Sequence, residues 1–70
     1  MNKDMYMNKL VNVMTADFNI EYESAVLIVN LSKIKKISSD SSELLELCDR
    51  PINDVIIELL DDYERMYGKE

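Results

Sequence analysis

The sequence lacks histidine and tryptophan, and it contains one glycine, one proline and one cysteine. The absence of histidine excludes Ser–His and Cys–His nucleophile systems, and it removes the commonest metal ligand. A glycine-rich phosphate loop cannot be built from Gly68 alone. The single cysteine, Cys48, cannot form a disulfide within the chain. We therefore expect no enzyme activity, no cofactor and no metal site.

Glycine and proline punctuate many-turned β structure, so their scarcity favours helices. Hydrophobic residues make up 47% of the chain and charged residues 31%, proportions typical of a folding sequence. The chain shows no secretory signal pattern, and it has no apolar run of the length that spans a bilayer. These features predict a single helical domain over residues 1–70, located in the cytoplasm and without membrane contact.

The charge is unevenly distributed along the chain. Residues 1–39 contain five lysines and four acids, a net charge of +1, whereas residues 40–70 contain three basic and ten acidic residues, a net charge of −7. This acidic half disfavours binding to nucleic acid, whose affinity depends on Lys and Arg contacts to phosphates. The lysines at 33, 35 and 36 fall short of the usual basic patch. The charge instead favours a basic protein partner.

The last twenty residues carry the clearest helical pattern. Counted from Ile52, apolar residues recur at the spacing that places them on one face of an α-helix. This apolar stripe comprises Val55, Ile56, Leu59, Leu60, Tyr63, Met66 and Tyr67. Pro51 suits the start of the helix, and Gly68 suits a left-handed residue that ends it. We predict a helix from Pro51 to Gly68.

The opposite face of this helix is acidic, and Ile57 is its one apolar member. One interpretation is that Ile57 helps to wedge the helix between two others; the sharper one is contact with a second molecule. Adjacent acids such as Asp61 and Asp62 point about 100° apart on a helix, so they do not form a catalytic pair. The predicted partner-binding residues are Asp54, Ile57, Glu58, Asp61, Asp62 and Glu64.

Two further segments carry helical signals in the first half of the chain. From Lys3 to Ala16, and on to Phe18, apolar residues follow the helical period. A connection with Asn19 or a neighbour as N-cap then leads into a second element, with lysines near its far end. The apolar run Ala25–Val29 within it fits a buried strand as well as a helix. We favour a helix, apolar nearly all round and therefore central.

A short helix is predicted after the serine-rich residues 38–42. Asp40 and Glu43 have the spacing of a capping box, and three leucines follow before the helix ends near Cys48 and Asp49. We expect Cys48 to be buried beside Leu44 and Leu45. The predicted fold class is all-α, a small bundle of three main helices plus one short helix.

The chain resembles a family of short uncharacterised helical bacterial proteins encoded near toxin genes. The resemblance covers most of the chain and rests on the following segments: Asn19-Ile20, Glu23-Ser24-Ala25, Leu31-Ser32-Lys33, Ile37, Asp40 and Ile56-x-x-Leu59-Leu60-x-x-Tyr63-Glu64. It implies an accessory or antitoxin-like protein that acts by binding another protein, with no catalytic residues.

Two functions follow as hypotheses. The first is a small acidic protein-interaction module, antitoxin-like or a phage-type inhibitor, that binds a basic protein partner through the acidic face of its last helix. The alternative is a structural homo-oligomer with no separate ligand. In that case Ile57, Tyr63 and Tyr67 extend the apolar stripe across a two-fold interface, a common way for small chains to gain stability.

Overall fold

A computed structural model describes residues 2–38 and 40–68, and within them it contains helices and no strand. The elements in chain order are α1 (Lys3–Asp17), α2 (Tyr22–Leu31), a 3₁₀ helix (Lys33–Lys36), α3 (Ser42–Asp49) and α4 (Ile52–Tyr67). Helices α1, α2 and α4 are the main ones, and α3 is the short one. The predicted all-α fold class is confirmed.

One hydrophobic cluster joins all the helices. Helix α1 packs along α2, and α4 packs against both. The fully enclosed side chains include Leu10 of α1, Val29 of α2, Leu44 of α3 and Leu59 of α4. The 3₁₀ helix adds Ile34, which is completely buried. The apolar stripe predicted for α1 faces this common core, and so does the stripe of α4 as far as Tyr63. Met66 and Tyr67, the last two residues of the α4 stripe, are exposed, contrary to the prediction.

Residues 24–31 form a helix, as favoured from their spacing. This helix is not buried all round, contrary to the expectation for a central element. Ala25, Ile28 and Val29 face the core, whereas Leu27 and Leu31 are 49% and 41% exposed. The neighbouring helices cover one side of α2 and leave its outer side open.

Of the residues considered for the N-cap of α2, Asn19 does not occupy that position and a neighbour does. The backbone of Asn19 is left-handed, with φ of 58°, a conformation that asparagine adopts more readily than most residues. It reverses the chain after α1, and the next amide, that of Ile20, donates to the Met14 carbonyl at 3.1 Å. Glu21 occupies the N-cap position of α2 without a side-chain capping bond.

The lysines predicted near the end of the second helix lie instead in the separate 3₁₀ helix. Ser32 makes the break between the two elements. Its hydroxyl donates to the Val29 carbonyl at 2.6 Å and accepts from the Ile34 amide at 3.3 Å. These two bonds satisfy the end of one helix and the start of the next.

Helix α3 ends at Asp49 as predicted, but its cap differs from the prediction. Ser41, not Asp40, is the N-cap, and its hydroxyl accepts from the Glu43 amide at 3.0 Å. Cys48 is exposed, which contradicts its predicted burial. Leu45, its expected neighbour in the core, is 67% exposed. The short helix contacts the core through one side only, so these two side chains face outward.

Gly68 ends α4 in an extended conformation, with φ of −73° and ψ of 127°, and not in the predicted left-handed one. Glycine is required there for a different reason. A Cβ atom at this position would lie 2.6 Å from the Glu64 carbonyl oxygen, to which the Gly68 amide donates.

Candidate protein-interaction surface

The structure brings four of the six predicted contact residues together on α4. Asp54, Ile57, Glu58 and Asp61 follow the i, i+3, i+4, i+7 spacing that aligns side chains along a helix. With Arg50, they line one shallow depression at the surface. We call these four residues the acidic outer face.

Asp62 lies apart from the acidic outer face. It is half-buried and lines a different groove, between α4 and the end of α2, beside Lys33 and Lys36. Glu64 is exposed and follows Ile57 by seven residues and Asp61 by three, so it lies on the same side of α4, beyond the depression. Five of the six predicted residues therefore share one side of α4.

Glu58 is engaged in contacts within the chain. Its carboxylate pairs with Lys33 Nζ at 2.6 Å and with Arg50 Nη2 at 3.3 Å. Hydrogen bonds from Lys33 and then from Arg50, together with their positive charges, lower the pKa of Glu58 below its ordinary value of 4.5. This carboxylate links the 3₁₀ helix and the α3–α4 connection to α4, a role that its sequence position did not reveal.

Ile57 is 56% exposed, so it does not wedge α4 between other helices. It lies between Asp54 and Asp61 on the acidic outer face, which makes it an apolar side chain within a charged surface. Asp61 pairs with Arg65 at 3.0 Å across one helical turn, and both side chains are largely exposed. Among the described residues, Asp54 has no ion-pair partner. An apolar centre with a carboxylate on either side can contact both the aliphatic and the cationic parts of a basic side chain.

The three residues proposed for a two-fold interface do not share one side of α4. Ile57 and Tyr63 are separated by about 120° around the helix axis. Tyr63 packs against the core and stacks with Tyr67 at a centroid distance of 5.2 Å. Tyr67 is half exposed, about 80° around the helix axis from Ile57 and nearly three turns further along α4. An interface centred on Ile57 would therefore not include the tyrosine pair.

Two long-range contacts of α1 were not apparent from the sequence. The Tyr6 hydroxyl of α1 donates to the Leu47 carbonyl of α3 at 3.3 Å. Burial raises the pKa of Tyr6, as does nearby Cys48, and Arg50 opposes this increase. Lys3 Nζ donates to the carbonyls of Lys35 and Ile37 at 3.0 and 2.9 Å. These long-range hydrogen bonds connect α1 to α3 and to the end of the 3₁₀ helix.

Within residues 2–38 and 40–68, no three acidic or cysteine side chains come together in an arrangement that could hold a metal ion. None of the helices in these segments combines the length and the apolar content that a bilayer crossing requires. Comparisons with protein-family models, with curated proteins and with solved structures give no match.

Proposed function

We propose that this chain is a small acidic protein-interaction module that binds a basic protein through the acidic outer face of α4. The observation that carries the proposal is the exposure of Ile57 between Asp54 and Asp61. An isolated apolar side chain inside a carboxylate cluster gains nothing from the intramolecular core. It gains from a partner that removes it from water.

The two components of this surface contribute in different ways. Full burial of an exposed isoleucine side chain contributes about 1.5–3 kcal/mol, and Ile57, which is 56% exposed, would contribute about half of that on binding a partner. The carboxylates act mainly on association rate and partner choice, since exposed charges steer encounter more than they add affinity. Glu58 already accepts a lysine and an arginine from its own chain, which shows that this face accommodates cationic groups.

The finer assignment is that of an antitoxin-like protein or a phage-type inhibitor acting in the cytoplasm. The resemblance to short helical bacterial proteins encoded near toxin genes supports this type of role. Cys48 is an exposed free thiol, which suits a reducing compartment. Blocking a basic partner requires only surface complementarity and no catalytic group in this chain.

Affinity enrichment from a lysate of the source cells tests the proposal, with bound proteins quantified by mass spectrometry. The test variant D54N/D61N removes two charges from the acidic outer face with little change in shape. The matched control E21Q/E23Q removes two charges at the start of α2. We expect the wild type and the control to enrich a basic protein that added salt releases, and D54N/D61N to lose it. Equal enrichment by both variants, or retention at high salt, would contradict the proposal.

A further inference from the structure

The outer side of α2 is exposed and, beyond Glu23 in its first turn, uncharged. The nine residues 24–32 contain no ionisable side chain, in a chain that is 31% charged. Solvent-facing sides of helices normally carry charged residues. Here Leu27 and Leu31 are 49% and 41% exposed, and Asn30 is exposed beside them. Packing against the core explains the lack of charge on the inner side of α2, but it does not explain the lack of charge on the outer side.

Asn30 also lines a groove of about 420 Å³ between α2 and α1. Leu27 and Leu31 lie outside this groove. Val11 and Val26 form part of its apolar floor. Asn8 and Asn12 of α1 line it from one side, and Asn30 of α2 lines it from the other. We call this the hairpin groove. Its lining residues include no acid and no lysine or arginine.

We propose that the hairpin groove is the interface between two copies of this chain. Each copy carries a formal net charge of −6, so most approaches of one copy to another bring carboxylates together. The hairpin groove avoids this repulsion because its walls are neutral. A basic partner would gain nothing from such a surface, whereas a second copy gains from the missing charge.

The asparagines make the groove complementary to itself. A carboxamide carries both donors and acceptors, so the same side chain from two copies can pair across a two-fold axis. The valines supply apolar area between the amides. Two α1–α2 hairpins then form a four-helix arrangement, and a chain this short gains stability from the additional burial.

The size of the surface limits the affinity. Helix α2 is about 15 Å long at the α-helical rise, so the interface is at the small end of the range for specific association. We expect a dimer that forms at tens of micromolar and not a permanent one. No residue of the acidic outer face lines the groove, so a dimer retains both copies of that face for other contacts.

Sedimentation velocity over a range of concentrations tests this interface with three isosteric variants. N12D and N30D each place one carboxylate in the hairpin groove of every copy. A two-fold dimer would therefore contain two of these carboxylates in its interface. N53D is the matched control, because Asn53 is exposed on α4 and the substitution adds the same charge. We expect N12D and N30D to raise the dimer dissociation constant about tenfold or more, and N53D to leave it within about twofold. Circular dichroism verifies that all three remain helical.

Two results would overturn the proposal: a wild-type chain that stays monomeric at every concentration, or N12D and N30D chains that dimerise as well as N53D. Salt separates this proposal from the proposed function. Added salt screens the repulsion between two chains of charge −6, so dimerisation persists or strengthens, whereas binding of a basic protein weakens. Either interaction can therefore fail without the other.

Discussion

The α1–α2 hairpin and helix α4 both expose apolar side chains, but those of the hairpin lie in uncharged surroundings and that of α4 in charged ones. On the hairpin, Val26 lies among amides and other uncharged groups, whereas Ile57 on α4 lies among three carboxylates and one arginine. The charge around an exposed apolar residue determines which partner gains by covering it. A neutral surface favours a second copy of an acidic chain, and an acidic surface favours a basic protein.

The largest expected effect is a difference in the free energy of unfolding between substitutions on the inner and on the outer side of the α1–α2 hairpin. Leu10 of α1 is fully buried, so Leu10→Ala removes core packing and should lower the free energy of unfolding by about 2–5 kcal/mol. Leu27→Ala, on the outer side of α2, should lower it by less than about 1 kcal/mol. Urea denaturation of dilute protein measures both. Similar losses in the two variants would show that the outer side of α2 belongs to the core.

The next largest effect is expected on partner binding, from a substitution on α4 that leaves the stability of the fold nearly unchanged. Ile57→Ala should change the free energy of unfolding by no more than about 0.5 kcal/mol, because the side chain is 56% exposed. It should weaken binding of the basic partner by about 1 kcal/mol or more. Enrichment and urea denaturation are compared for this variant and for Leu31→Ala, which changes an exposed apolar residue outside the acidic outer face. A loss of binding in the Leu31 variant alone would shift the binding surface away from α4.

A smaller effect should come from the Tyr6 hydroxyl, which links α1 to α3. Tyr6→Phe should lower the free energy of unfolding by about 0.5–1.5 kcal/mol. We expect the low end of this range because the Leu47 carbonyl also accepts a hydrogen bond from the Arg50 amide. The pKa of Tyr6 is raised above 10.0, so folding favours the protonated hydroxyl. Its stabilising contribution is present below pH 10.0 and is lost as the pH rises through the folded-state pKa.

Urea titrations at neutral and alkaline pH measure this difference. The stability of the wild type should fall faster above pH 10.0 than that of Tyr6→Phe. Parallel pH profiles would show that burial of this hydroxyl does not affect its ionisation.

The smallest effect concerns the ion pairs within the acidic outer face. The pKa of Glu58 is lowered in the folded state, so its contribution is present above its ordinary pKa of 4.5 and is lost as the pH falls through the lower folded value. Its side chain is 37% exposed and screened by solvent, which limits the contribution to about 1 kcal/mol or less. Glu58→Gln should therefore destabilise slightly at neutral pH, and the difference should disappear as the pH falls through the folded-state pKa of Glu58. Acid denaturation curves that coincide for wild type and Glu58→Gln would contradict this role.

Local spacing was sufficient to predict the helices but not all of their ends. The period of apolar residues after Pro51 and the polar break before α3 correspond to real boundaries. Asn19 and Gly68 differ from the prediction because a cap depends on backbone geometry that their neighbours also determine. The stretch without charge in α2 was visible in the sequence. Its apolar residues predict burial on all sides, whereas the structure buries one side of the helix and exposes the other.

The sequence by itself determined the all-α class and the division of the chain into a nearly neutral first half and an acidic second half. These properties depend on residue spacing and composition, which need no tertiary contact. Only the tertiary structure decided which apolar side chains are covered. Tyr6 meets Leu47 across 41 residues of chain, while Ile57, Leu27 and Cys48 remain outside the core. Burial depends on groups that are distant in sequence, so helical spacing alone does not determine it.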